Sequence, residues 1–280
     1  PFLLNRWTVL FSLLLIGMLF TLGKRYWGWA IAEDSTPTEP IANRWHRGLF
    51  WCAWGILGAV TVLSFYHALF FPVHYWDALI LYIHYGKMTY QQGGFPILVC
   101  LQVGLGLGAN YPHLYPLHQA TTAMLVGHWS DLYGQLLPPL AGLGSIVVLY
   151  VLALRLFRNR FTAVFSVLVF RCIPYVSTYF VWASDYSLVM LYTALFLLFL
   201  ETFLSSPSMR KAIPLLAVCA IFPHINYMGW IVWPPMVLAI LWRMPDLQKQ
   251  NPSAWMVVLG WGTLWLGLGL TWYIRNWRSE

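Results

Sequence analysis

Charge is what this sequence has least of. Of its 280 residues only 9% are Asp, Glu, Lys or Arg, against about 25% in a soluble globular domain. Apolar side chains make up 60% of the chain, so the ordinary water-soluble enzyme is excluded. Cysteine is scarce as well. Cys52, Cys100, Cys172 and Cys219 are scattered with no C-x-x-C pair, which excludes a zinc-finger site and a disulfide framework. Most of them sit in or beside apolar runs, where a thiol acts as a small hydrophobe. No internal repeat or low-complexity tract occurs, which weakens a transporter built from inverted repeats. The net charge of +7 does not indicate nucleic acid, because the cations stand at the ends of apolar segments.

What is present is hydrophobic length. Crossing roughly 30 Å of hydrocarbon takes about 20 apolar residues in a helix, and such runs recur. They predict an all-α, polytopic membrane protein of about eight spans, at residues 7–23, 49–71, 137–157, 161–180, 186–204, 212–223, 227–242 and 254–274. The first has the length of a signal anchor, although little positive charge precedes it. Lys24, Arg25, Arg44, Arg47, Arg155, Arg158, Arg160, Arg210, Lys211, Arg243 and Lys249 then share one side, and the positive-inside rule makes that side cytoplasmic. Residues 72–136 become an extracytoplasmic loop. Its apolar stretches Phe95–Ala109 and Leu117–Val126 are too short to cross and read as juxtamembrane or re-entrant helices. The 17 Trp suit the headgroup zone. Residues 32–42 form a polar linker that holds three of the nine acids.

The remaining acids are the informative ones, because an acid near hydrocarbon costs about 2.5–3.5 kcal/mol on insertion scales and so faces a cavity or a partner. Asp77, Asp131 and Asp185 all fall on the extracytoplasmic side. In "FPVHYWDALILYIHYGKMTYQQGG" (71–94), a helix over 76–89 would place Asp77, Leu81, His84 and Met88 on one face, with Lys87 roughly 60° from His84. An acid, an imidazole and an ammonium would then share one cavity, unless the segment is an interfacial helix with its polar face in water. In "VWASDYSLVM", Ser184 or Asp185 is a candidate helix N-cap, and Asp185 is also a candidate site residue, a role compatible with capping. Arg171, in "VFSVLVFRCIPYVS", is deep enough to need a partner. It either pairs with Asp185 across the tight outer turn or reaches outward to a lipid phosphate, which its planar fork suits. His224 and Asn226 mark the next outer turn. Tyr111–Gln119, "YPHLYPLHQ", leads into the second juxtamembrane helix. "VGLGLGA" (103–109) lacks a flanking βαβ pattern, so it is a packing motif and not a dinucleotide loop.

The order of these features resembles the GT-C superfamily of polytopic glycosyltransferases, among them the protein O-mannosyltransferases and the lipid A aminoarabinose transferases. The resemblance rests on "YWDALILY…GK" after a span, then "YPHLYPL", a span ending "YVLALRLFRNR", and "SDYSLVMLYTALFLLFL". It divides the chain into an extra span with linker (1–48), a seven-span module (49–274) and a tail (275–280). It implies transfer of a sugar from a polyprenyl-phosphate donor to an acceptor hydroxyl on the extracytoplasmic side. Asp77 would be the base, and Asp185 would orient the acceptor or share a metal with it. Lys87, Arg171, His224 and His84 would face the donor phosphate. Tyr82, Tyr111, His113, Tyr115 and Asn226 would line the cavity. A divalent metal is left open, since relatives differ. The partners implied are the lipid-linked donor, membrane lipids and other membrane proteins, with no nucleic acid. The location would be the bacterial inner membrane or, in a eukaryote, the endoplasmic reticulum. Three departures stand out. Ala78 follows Asp77 where many relatives have a second acid, His113 stands at or beside a common Pro, and His224 stands where several have Lys. They bear on the choice of sugar donor, and the missing second acid, with the short C-terminal region, favours a competing reading, in which the chain is a non-catalytic membrane subunit whose acids and Arg171 only pair with one another.

Overall fold

A computed structural model describes residues 44–73, 78–93 and 114–277. Among them every regular element is helical. Helix α1 is Arg44–Phe70. A π-helical turn, Ala78–Ile83, runs into α2, His84–Gln92. Then come α3, Leu114–Val126; α4, Leu132–Phe157; α5, Arg160–Cys172; α6, Pro174–Tyr179; α7, Tyr186–Ser205; and α8, Met209–Ile225. A 3-10 turn, Tyr227–Val232, leads to α9, Trp233–Gln250, and α10, Ala254–Trp277. Three helices, α1, α4 and α7, have the length and composition to cross a membrane. The 27 residues of α1 rise about 40 Å, more than the hydrocarbon requires. Much of α1 faces outward with apolar groups, such as Trp51, Val62 and Leu63. A continuous apolar outer surface of that kind suits lipid as the solvent. The expected span 7–23 lies outside the described residues.

Proline and asparagine set the boundaries. Helix α1 stops where Phe71 precedes Pro72, since a residue before proline is pushed out of the helical region. The expected span 161–180 is two helices for the same reason: Ile173 precedes Pro174 and is extended (φ −61, ψ 120), and Pro174 then opens α6. Helices α4 and α5 form a tight hairpin. Arg158 takes a left-handed conformation (φ 52), its N–H bonding to Leu154 O at 2.8 Å, and Asn159 Oδ1 caps α5 by accepting from Thr162 N at 3.0 Å. The expected span 227–242 starts as the 3-10 turn because Asn226, itself extended, accepts from Met228 N at 2.9 Å.

The helices alternate direction, which separates the chemistry of the two ends. At one end His46 meets Phe161, with ring centroids 4.9 Å apart. There too Arg155 bridges α4 to Glu201 (3.1 Å) and Thr202 of α7, and Arg243 donates to Leu204 O at 2.7 Å. Arg44, Arg47, Arg158, Arg160, Arg210, Lys211 and Lys249 stand at the helix ends that meet here. At the other end Gln135 ties the start of α4 to Phe71 O at 2.9 Å, and α7 begins beside the end of α8 through Asp185 and Asn226. Most of the described cations and the candidate site therefore occupy opposite ends.

Helix α8 is the centre of the larger core, enclosed by α7, α9, α10 and the 3-10 turn, with Phe203, Leu215, Leu216, Cys219, Ile225 and Leu247 buried. A smaller core, Ala53, Leu57, Ile146, Val164 and Val167, joins α1, α4 and α5. Proline shapes α8 as well. Pro223 has no N–H for the carbonyl four residues back, and that carbonyl, Cys219 O, accepts the Trp233 indole N–H at 3.0 Å. The 3-10 turn then lies so close to α8 that a Cβ on Gly229 would sit 2.4 Å from Phe222 C and 2.6 Å from Pro223 N. Both are backbone atoms and cannot yield. Gly229→Ala should therefore destabilise the protein by at least about 1–3 kcal/mol, the usual range for forced overpacking. Thermal unfolding of the detergent-purified protein measures this, and an unchanged midpoint would contradict the packing.

Candidate functional site

The polar centre of the fold lies where α7 begins. Asp185 is completely buried. It occupies the N-cap position of α7, yet its side chain makes no capping bond. The carboxylate points across the bundle. Oδ1 accepts from the Tyr82 hydroxyl at 2.6 Å, and Oδ2 accepts from Asn226 Nδ2 at 2.8 Å. Asn226 is held in that orientation by accepting from Met228 N through its own Oδ1. The cap alternative is thus excluded, and a long-range role takes its place. Three chain segments, 82, 185 and 226, meet at one carboxylate.

Tyr115 of α3 completes the cluster. Its ring stands edge-on to Tyr82, centroids 5.3 Å apart, and its hydroxyl donates to Gly134 O at 2.7 Å. Gly134 O is free to accept because Pro138, four residues on, has no N–H. Burial first, and then the negative charge of Asp185, push the Tyr115 hydroxyl well above its ordinary value of 10.0. It therefore stays protonated and remains a donor at physiological pH. The same face of α3 carries Gln119, fully buried, whose two amide heavy atoms have no hydrogen-bond partner. Gly86 and Gly134 close on that amide: a Cβ on Gly86 would stand 2.7 Å from Oε1, and one on Gly134 2.8 Å from Nε2. Both glycines are needed to admit the side chain.

Of the expected site residues, Asp185, Tyr82, Asn226 and Tyr115 come together, and His224 lies half-buried in the last turn of α8. Asp77, Tyr111 and His113 lie outside the described residues. His84 and Lys87 are exposed on α2. Of the expected face, Leu81 packs against the core and Met88 is half-buried, but His84 turns outward with Lys87, as in the alternative of an interfacial helix with its polar groups in water; the chain enters this segment as a π-helix, and Tyr82, Tyr85, Gly86 and Thr89 are the buried residues. The expected Arg171–Asp185 pair does not form. Arg171 is buried, but it donates from Nη2 to Ser64 Oγ of α1 at 2.7 Å and lies over the Phe180 ring, 4.8 Å to the centroid. Sequence reasoning missed Ser64, Phe180 and Gln119. Only Gln119 had a local signal, one turn beyond Tyr115.

A cleft opens beside this centre, lined by His67, Ala68, Pro72, Gln135 and Val181–Ala183. Among the described residues no three His, Cys, Asp or Glu side chains are grouped to hold a metal ion; the expected metal pair included Asp77, which lies outside them. No protein-family profile, curated protein or solved structure matches this chain.

Proposed function

We propose that the chain is a multi-pass membrane glycosyltransferase of GT-C type that moves a sugar from a polyprenyl-phosphate donor to an acceptor hydroxyl. The reacting end is the Asp185 end, on the extracytoplasmic side, since the opposite end carries most of the cations. The observation that supports this reading most is the convergence of Tyr82, Asp185, Asn226 and Tyr115, from distant segments, at that end. In this reading Asp185 is a positioning residue. It anchors the segment beginning at Ala78, directly after Asp77, which is the candidate base. His224 and Lys87 are the candidates for the leaving phosphate.

A second reading has one observation in its favour. Asp185 is fully buried with both oxygens hydrogen-bonded, as expected of a non-catalytic membrane subunit in which the carboxylate only ties helices together. One experiment separates the two. Purified protein is incubated with a panel of polyprenyl-phosphate sugars and a mixture of acceptor alcohols, and free carrier phosphate is measured. Release above a boiled control supports the transferase. No release across the panel leaves the subunit reading in its place.

A further inference from the structure

Among the described residues Arg171 is a buried cation without an anion. Its residue is 2% exposed, yet among the described residues it forms no ion pair, and neither Nε nor Nη1 has a hydrogen-bond partner. An arginine does not discharge by losing its proton, and a charge removed from water is costly unless paired. Its described contacts are neutral. Ser64 Oγ accepts from Nη2 while spending its own proton on Val60 O at 2.9 Å. The Phe180 ring supports the guanidinium face. These contacts fix the orientation of the group and leave two donors unused.

The surroundings indicate what would use them. Val167 lies one turn before Arg171 on the same face of α5, and it lines an apolar groove of about 120 Å³ between α4 and α5 with Leu152, Leu156, Phe157, Ser166 and Phe170. Beyond Arg171, on the α1 face shared by Ser64 and Ala68, is the cleft bordered by His67, Val181 and Trp182. The neighbours of Arg171 thus line a hydrocarbon groove on one side and a polar-edged cleft on the other. We propose that Arg171 binds the phosphate of an anionic bilayer phospholipid, one of whose acyl chains lies in the α4–α5 groove. Charge complementarity selects the phosphate, and the groove selects a lipid over a free ion. This inference goes beyond the transferase proposal and does not depend on it.

The test uses the full chain in neutral detergent, with thermal unfolding as the readout. Added phosphatidylglycerol should raise the midpoint by several degrees. Diacylglycerol should not, and inorganic phosphate at the same concentration should give a smaller rise. Arg171→Met should lose the phosphatidylglycerol response while unfolding, without lipid, no lower than wild type, because it removes an unpaired buried charge. A purely structural arginine would give the opposite sign in the lipid-free state. Ser166→Phe, which fills the groove without touching Arg171, should weaken the response to phosphatidylglycerol and keep the response to inorganic phosphate. The proposal is overturned if Arg171→Met retains the shift, if diacylglycerol gives the same shift, or if a prenyl monophosphate alone is effective. That last result would move Arg171 into the donor site.

Discussion

Asp77→Asn should lower carrier-phosphate release by about 10²–10⁴-fold, the usual contribution of a general base, while expression, membrane insertion and unfolding midpoint stay near wild type. The amide has almost the volume of the carboxylate, so packing changes little. It cannot accept the acceptor hydroxyl's proton, so the loss belongs to the chemical step and appears in kcat. The change is read against the best donor of the panel. Wild-type turnover by this variant would remove Asp77 as the base even if the protein is a transferase. Lower turnover together with a lowered midpoint would mean a structural role for this side chain.

The helices were easier to read in the sequence than the contacts between them. Apolar runs announced α1, α4 and α7, because the burden of crossing a membrane is written locally, residue by residue. Boundaries were legible where proline acts, and the break at Ile173 inside the expected span 161–180 follows from Pro174 alone. The left-handed turn at Arg158 was not legible, since a non-glycine residue there gives no local signal. The site divides the same way. Asp185, Tyr82 and Asn226 stood out as polar groups beside apolar runs, and they do meet. Their partners could not be assigned, because Tyr82 and Asp185 are 103 positions apart and only the packed bundle brings them together. Arg171 shows the opposite error. Of its two expected partners, the nearest acid along the chain and a lipid phosphate, the first is not met, and the fold turns the side chain toward Ser64, 107 residues away. Helix rotation decided the matter, as it does at the π-helical entry to α2, where His84 is exposed and Tyr82 buried.

Replacing Asp185 by Ala should have the largest effect on stability of the substitutions considered. It strands two buried donors, the Tyr82 hydroxyl and Asn226 Nδ2. Each such orphan costs about 1–3 kcal/mol, so the combined loss is about 2–6 kcal/mol, which lowers the unfolding midpoint by roughly 5–15 °C for a chain of this size. Asp185→Asn is the more instructive change. The new amide keeps one acceptor for Tyr82, but it presents a donor to the donor of Asn226. Adding Asn226→Asp reverses that bond: the amide now at 185 donates to the carboxylate now at 226, whose other oxygen still accepts from Met228 N. Every hydrogen bond described for the cluster is then remade with the charge moved to the other residue. The double variant should therefore unfold above the Asp185→Asn single variant. In a double-mutant cycle over positions 185 and 226 the coupling should favour the swap by about 1–3 kcal/mol. Additive losses would mean that the negative charge is required at the start of α7 itself, and that the carboxylate serves something other than this pair of donors.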